Sequence, residues 1–166
     1  MKEHIMGTKA KAMVGAEVGK ILTLLNKAFA DEWLAYYQYW VGAKVACGPM
    51  RGAVVGELEQ HAEEELKHAG MLTERIIQLG GTPILEPEEW YKISNCGYDA
   101  PKDTSVKKIL KQNIKGEQCA IDVYRKLSDA TKDRDVITYH LALEIMKDEI
   151  EHEEDLESLL NDMTQK

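Results

Sequence analysis

The sequence predicts an all-α protein, a four-helix bundle made of two antiparallel hairpins joined by one long crossover. Three observations carry that prediction. Four long segments repeat apolar residues at helical spacing and hold almost no internal proline. Short breaks separate the first segment from the second and the third from the fourth, whereas a stretch rich in helix breakers, residues 80–103, separates the second from the third. The length of 166 residues suits one domain around a single core.

Residues 1–15 read as an N-terminal tail and 16–166 as the bundle. The first helix is placed at roughly 16–46 on the stripe Leu22, Leu25, Phe29, Tyr36, Tyr39 and Ala43. The second, at roughly 52–79, has Val54, Leu58, Leu72 and Leu79, and Gly80-Gly81 followed by Pro83 ends it. In the crossover, Pro83, Pro87, Asn95, Gly97 and Pro101 break helix, while Trp90 and Tyr91 suggest that the segment packs on something. Extended, it reaches ~80 Å, enough to run the length of a helix as a bundle with one crossover requires. The third helix, at roughly 104–129, carries Val106, Leu110, Ile121, Tyr124 and Leu127, with Asp103-Thr104-Ser105 placed to cap its start. The fourth, at roughly 133–162, carries Ala142, Ile145, Leu156 and Leu159.

A formal net charge of −8 argues against a nucleic-acid-binding body and fits a surface or cavity that attracts cations. No apolar run approaches the ~20 residues that span a bilayer, and the first residues lack the apolar core of a signal peptide. A cytoplasmic protein without a membrane partner is expected. Three cysteines, Cys47, Cys96 and Cys119, do not make a disulfide framework, and Cys47, at a helix end before Gly48, reads as structural.

Each apolar stripe is interrupted by acid. Glu32 stands between Phe29 and Tyr36; Glu65 and His68 between Leu58 and Leu72; Glu117 between Leu110 and Tyr124; Glu149 and His152 between Ile145 and Leu156. A buried carboxylate is costly unless paired, hydrogen-bonded or metal-bound. The heights also agree. Glu32 and Glu65 flank the first turn, near Gly48-Pro49, and Glu117 and Glu149 flank the second, near Asp133. All four lie ~24 Å from their turns at 1.5 Å per residue. The pattern is a degenerate duplication in which a Glu is followed by Glu-x-x-His, twice. One Glu from each of two helices with Glu-x-x-His from each of the others is the donor set of di-metal carboxylate bundles. The i, i+3 spacing puts each Glu and His on one helix face. Four carboxylates and two imidazoles suit iron or manganese, and the absence of thiolate argues against structural zinc. Glu65 and Glu149 are assigned as bridging ligands, with Glu32 and His68 terminal on one metal and Glu117 and His152 on the other. The bland alternative is a structural bundle with incidental buried acids.

With those residues placed, the chain resembles the bacterioferritin branch of the ferritin-like superfamily. Glu32-Trp-Leu-Ala-Tyr-Tyr-Gln-Tyr39 is similar to that family's first-helix motif. Glu65-Leu-Lys-His68-Ala, with Glu74-Arg-Ile and Leu79-Gly-Gly-x-Pro83, is similar to its second, and Ile145-Met-Lys-Asp-Glu149-Ile-Glu-His152 to its fourth. The resemblance covers roughly residues 20–160 and implies two iron ions per subunit, with manganese as the other metal the ligands suit, and Tyr39 beside the site. Bacterioferritins hold haem through a methionine directly after the bridging Glu of the second helix; here that residue is Leu66, so no haem is expected. Few residues follow His152, which implies no fifth helix, and the N-terminal segment resembles a Dps tail. Together these features resemble the Dps-like thioferritins, which form dodecameric cages and carry a cysteine pair near the di-iron site. Here that pair would be Cys96 and Cys119, and whether they join in a disulfide stays open.

The resemblance implies an iron-storage and detoxification ferroxidase that oxidises Fe(II) with hydrogen peroxide or dioxygen, stores ferric mineral in a homo-oligomeric cage and protects against oxidative stress. Peroxide is favoured only by the Dps-like features. The alternatives are a rubrerythrin-like peroxidase or manganese catalase, and a DNA-protecting nucleoid cage. Lys2, Lys9 and Lys11 make the tail basic, but three lysines against the net charge leave DNA disfavoured as a partner. His61, one turn before Glu65, reads as a partly exposed polar residue, and Glu63, Glu64, Glu151, Glu153 and Glu154 as solvated. Trp33 and Trp40 are spaced to share a subunit contact.

Overall fold

Long apolar stripes without internal proline commit this chain to helices, and a computed structural model describes residues 7–163 of it. Lys2, in the expected tail, lies outside the described residues. The four principal helices are α2 (Val18–Val45), α3 (Arg51–Gln78), α5 (Val106–Thr131) and α6 (Val136–Asp162). Helix α2 packs along α3 and α5 along α6, and the two hairpins meet through α2 against α5 and α3 against α6. The predicted helices are all present, with ends displaced by up to three residues.

Two further helices are absent from the sequence reading. Helix α1 (Thr8–Val14) lies in the segment read as a tail. Val14 is buried and Ala10 packs beside it on the bundle, an i, i+4 apolar pair too short to register as a stripe. Inside the crossover, a 3₁₀ turn at Pro87–Glu89 leads into α4 (Trp90–Ile93). Trp90 stacks on Trp33 with ring centroids 5.1 Å apart and meets Phe29 edge-on. Trp33 is thus engaged within the chain, whereas Trp40 is exposed and lies against Tyr37.

Local chemistry ends each helix. After α3, Gly80 adopts φ 69°. Its N–H bonds to Ile77 O at 2.8 Å and that of Gly81 to Ile76 O at 2.9 Å, the paired bonds of a Schellman turn. Asp135 caps α6 by accepting from the Thr138 N–H at 3.1 Å. At the start of α5 the expected cap takes another form: Asp103 accepts from the Ser105 N–H, one residue before the helix. The turn after α2 is sewn to the end of the crossover, because the Cys47 N–H bonds to Thr104 O at 2.8 Å and the Val106 N–H to Cys47 O at 2.9 Å.

The core is two apolar clusters, one near each end of the bundle. One contains Ile21, Leu25, Leu72, Ile76, Tyr124, Leu127 and Ile145. The other contains Tyr39, Ala43, Leu58, Ile109, Leu110 and Leu156. A buried ionic bond joins the hairpins beside the first. Arg75 of α3 donates to Asp135 Oδ1 at 2.7 Å and to Thr138 Oγ1 at 2.8 Å. Removing one partner of such a pair strands the other charge. Asp135→Ala is therefore expected to lower stability by about 3–5 kcal/mol in urea unfolding followed by far-UV circular dichroism. A loss below about 1 kcal/mol would show that the pair contributes like a surface ion pair.

Candidate metal centre

Between the two apolar clusters lies a layer of six ionisable side chains, one set per principal helix. Glu32 comes from α2, Glu65 and His68 from α3, Glu117 from α5, and Glu149 and His152 from α6. None is more than 3% exposed. All six residues read from the sequence as ligands therefore stand together.

Their donor atoms fall into two groups that share two members. Glu32, Glu65, His68 and Glu149 offer one set of donors within 4.8 Å of one another, and Glu65, Glu117, Glu149 and His152 offer a second. His68 Nδ1 lies 3.2 Å from Glu65 Oε2, 3.2 Å from Glu149 Oε1 and 3.5 Å from Glu32 Oε2. His152 Nδ1 lies 3.3 Å from Glu149 Oε2, 3.5 Å from Glu65 Oε1 and 3.8 Å from Glu117 Oε2. Glu32 Oε2, Glu117 Oε2, both oxygens of Glu149 and His152 Nδ1 are buried with no hydrogen-bond partner. Native interiors rarely leave such groups orphaned. Five orphaned donors converging on one layer fit a pair of cations.

The other ring nitrogens are held from outside the layer, each by the opposite hairpin. His68 Nε2 is 3.2 Å from Asp148 Oδ2, and His152 Nε2 is 2.6 Å from Glu64 Oε2. A carboxylate on the far nitrogen fixes the tautomer and leaves Nδ1 free to ligate. Asp148 and Glu64 each directly precede a shared glutamate, so the repeated unit is acid-Glu-x-x-His. Sequence reasoning assigned Glu64 to solvent as part of an acidic run; it is half-buried and bonded to His152 instead.

Two tyrosines complete the symmetry. The Tyr39 hydroxyl donates to Glu117 Oε1 and the Tyr124 hydroxyl to Glu32 Oε1, both across the hairpins. Tyr124 was legible only as part of an apolar stripe. Its signal was position, since it follows Glu117 by seven residues as Tyr39 follows Glu32. Burial, with Glu117 beside Tyr39 and Glu32 beside Tyr124, holds both phenols well above their usual range, so each keeps its proton to donate. His61 also departs from its expected exposure. It is fully buried, stacked on His152 with ring centroids 4.0 Å apart and edge-on to Tyr39.

Four acids this close cannot all ionise without compensating positive charge. Burial first, then repulsion from Glu65 and Glu149, holds Glu32 far above the usual carboxylate range; burial, then Glu149, does the same to Glu117. Burial opposes charge on His68, but Glu149, Glu32 and Glu65 more than offset it and raise the ring well above the usual imidazole range. Glu117, Glu149 and Glu65 do the same for His152. Protons on the imidazoles thus occupy the place that cationic charge would take.

The cysteine pair lies on the side of the layer faced by α2 and α5. Cys96 and Cys119 are joined, Sγ–Sγ 2.15 Å with Cα atoms 5.8 Å apart, which ties the crossover to α5. Buried Asp31, next to Glu32, accepts from the backbone N–H groups of Asn95 and Cys96, each at 2.8 Å, and pins the same loop to α2. A cavity of about 50 Å³ lies beneath, bordered by Cys96, Tyr39, Glu32, Glu65, Glu117 and Glu149. Leu66 is exposed on α3, facing away from the layer. No helix among the described residues is long and apolar enough to cross a membrane.

Comparison with known proteins accords with this arrangement. Residues 22–166 match the ferritin-like domain model. The chain is 37% identical over 163 residues to the DNA protection during starvation protein of Pyrococcus furiosus, covering 96% of this chain and 86% of that one. A bacterioferritin of Rhodobacter capsulatus is 25% identical over 86% of this chain and 83% of its own. Among solved structures, the dodecameric thioferritin of Bacteroides fragilis, a bacterioferritin-related protein, superposes with a TM-score of 0.92 at 41% identity over 93% of this chain and 94% of that one. A bundle of four long helices, the match to the ferritin-like domain model and these relatives together place the chain in the ferritin-like family.

Proposed function

We propose that this chain is a ferroxidase of an iron-storage cage, oxidising Fe(II) at the layer formed by Glu32, Glu65, His68, Glu117, Glu149 and His152. The observation that carries this reading is the overlap of two four-donor groups through Glu65 and Glu149. Shared carboxylates are what hold two ions at one fixed spacing.

Ferrous ion is the substrate, and each of two ions gives one electron to dioxygen or hydrogen peroxide. Glu32 and His68 would hold one ion, Glu117 and His152 the other, and Glu65 and Glu149 both. Four carboxylates balance the charge of two dications. Tyr39 and Tyr124 keep Glu117 and Glu32 turned by donating to the oxygens that do not ligate. Asp148 and Glu64 keep each imidazole in its ligating tautomer. The 50 Å³ cavity admits a molecule of the oxidant's size from the α2–α5 side, and the Cys96–Cys119 pair on its border is read as a redox pair serving the site. Storage follows from likeness to the dodecameric thioferritin, which supports a homo-oligomeric cage here. The same ligands suit manganese, which keeps a manganese catalase or rubrerythrin-like peroxidase as the second reading.

Size-exclusion with light scattering, combined with metal analysis after aerobic ferrous loading, is expected to show a cage with many irons per subunit. A monomer holding only two would favour the second reading. Glu65→Ala is expected to lose both high-affinity metals and rapid oxidation in stopped flow, whereas Glu32→Ala retains one metal. Asp148→Ala, which removes the carboxylate on His68 Nε2, should weaken metal binding about 10–100-fold. Equal stoichiometry in the Glu65 and Glu32 variants would refute the bridging assignment. Because His68 and His152 are held protonated, metal uptake at neutral pH is expected to release at least one proton from each imidazole. Apparent affinity should then fall as pH falls; a pH-stat titration with no proton release would contradict this charge balance.

A further inference from the structure

A second cluster of donors lies beside the layer and outside it. His61 is fully buried on α3, and neither of its ring nitrogens has a hydrogen-bond partner. Its Nε2 lies close to two acids without a hydrogen bond to either, 3.3 Å from Glu57 Oε1 and 3.7 Å from Asp155 Oδ2. Glu57 is one helical turn earlier on the same face of α3, and Asp155 lies on α6, three residues after His152.

We propose that Glu57, His61 and Asp155 form a third cation site, which takes a divalent first-row metal ion from solvent and passes it to the six-residue centre. One donor atom from each of the three lies within 4.8 Å of the others. Donors around a single ion at about 2.1 Å fall about 3–4 Å apart, so a small closure completes the grip. Two carboxylates balance a dication, and a neutral imidazole beside carboxylates suits ferrous, manganous, cobaltous or zinc ion. A packing role for His61 explains its contacts with Tyr39 and His152 but leaves both buried nitrogens unsatisfied, which native interiors avoid. An ion satisfies one of them.

The placement suits transfer. The side chains of Glu57 and Asp155 are 27% and 43% exposed, which leaves the outer face of the site open to water. Inward, His61, Glu64 and His152 form another donor group within 4.8 Å. A cavity of about 220 Å³ bordered by Asp155, Glu64, His152, Asp148 and Glu151 opens on the same α3–α6 face. Donors therefore follow one another from the surface to His152, a ligand of the centre. The transfer step rests on reading the six residues as a metal centre; occupancy of the outer site does not.

Crystals of the assembled protein soaked in cobaltous chloride under nitrogen test both parts by anomalous diffraction. Three peaks per subunit are expected, two within the layer and one among Glu57, His61 and Asp155, and Asp155→Asn should lose only the third. Peaks confined to the layer, or a third peak that survives Asp155→Asn, would overturn the outer site. A peak at the outer site with none in the layer would overturn the centre and the transfer with it. Stopped-flow absorbance with sub-stoichiometric cobalt then reads transfer: Asp155→Asn should fill the centre several-fold more slowly to the same final level. Unchanged filling rates would overturn the hand-over.

Discussion

Everything in this bundle is arranged around one costly act, the burial of four carboxylates and two imidazoles at its middle. An ionised carboxylate in an apolar interior is strongly disfavoured unless paired or bound to metal. Placing apolar clusters above and below the layer makes the cost of disorder higher still, because a misplaced carboxylate would face hydrocarbon. The layer is therefore held by the same packing that it threatens.

What makes the layer tolerable is reciprocity between the hairpins. Every outer contact crosses from one to the other: Tyr39 to Glu117, Tyr124 to Glu32, His68 to Asp148 and His152 to Glu64. Within a hairpin the imidazole meets its own acids, but the hydroxyl on each terminal glutamate and the carboxylate on each far imidazole nitrogen come from the other hairpin. Assembly of the two is thus coupled to completion of the site, and Arg75 with Asp135 reinforces the same joint away from it. The near-duplicate sequence has a physical consequence here. Two copies of acid-Glu-x-x-His, each supported from the other hairpin, generate two equivalent donor groups that share Glu65 and Glu149.

The sequence disclosed the layer because its signals are local. Helical period, an i, i+3 spacing and matched distances to two turns suffice to put Glu32, Glu65, His68, Glu117, Glu149 and His152 at one height. What it concealed depends on contacts between distant segments. Tyr124 resembles any core aromatic until its hydroxyl is seen to meet Glu32, and Glu64 resembles any acid in a solvated run until His152 faces it. Asp31 anchors the crossover through backbone N–H groups more than sixty residues away, which no spacing rule detects. Helices α1 and α4 are too short to display a period; each is set by one or two apolar residues docking on the bundle.

The symmetry of the ligands conceals an asymmetry of surroundings. On the α2–α5 side the layer is covered by the crossover, fastened by the Cys96–Cys119 bond and by Asp31, and the small cavity there is flanked by Ala35, Gly116 and Ala120. On the α3–α6 side it is faced by Glu64, Asp148, Glu151 and Asp155, with a wider and mostly acidic opening. On the first face the carboxylates are Asp31, which holds the crossover, and the acids of the layer itself; on the second, further carboxylates stand outside the layer and nearer the surface. The buried layer thus has two unlike surroundings, and the long crossover is what creates the difference, since without it the two faces of a duplicated bundle would be nearly alike.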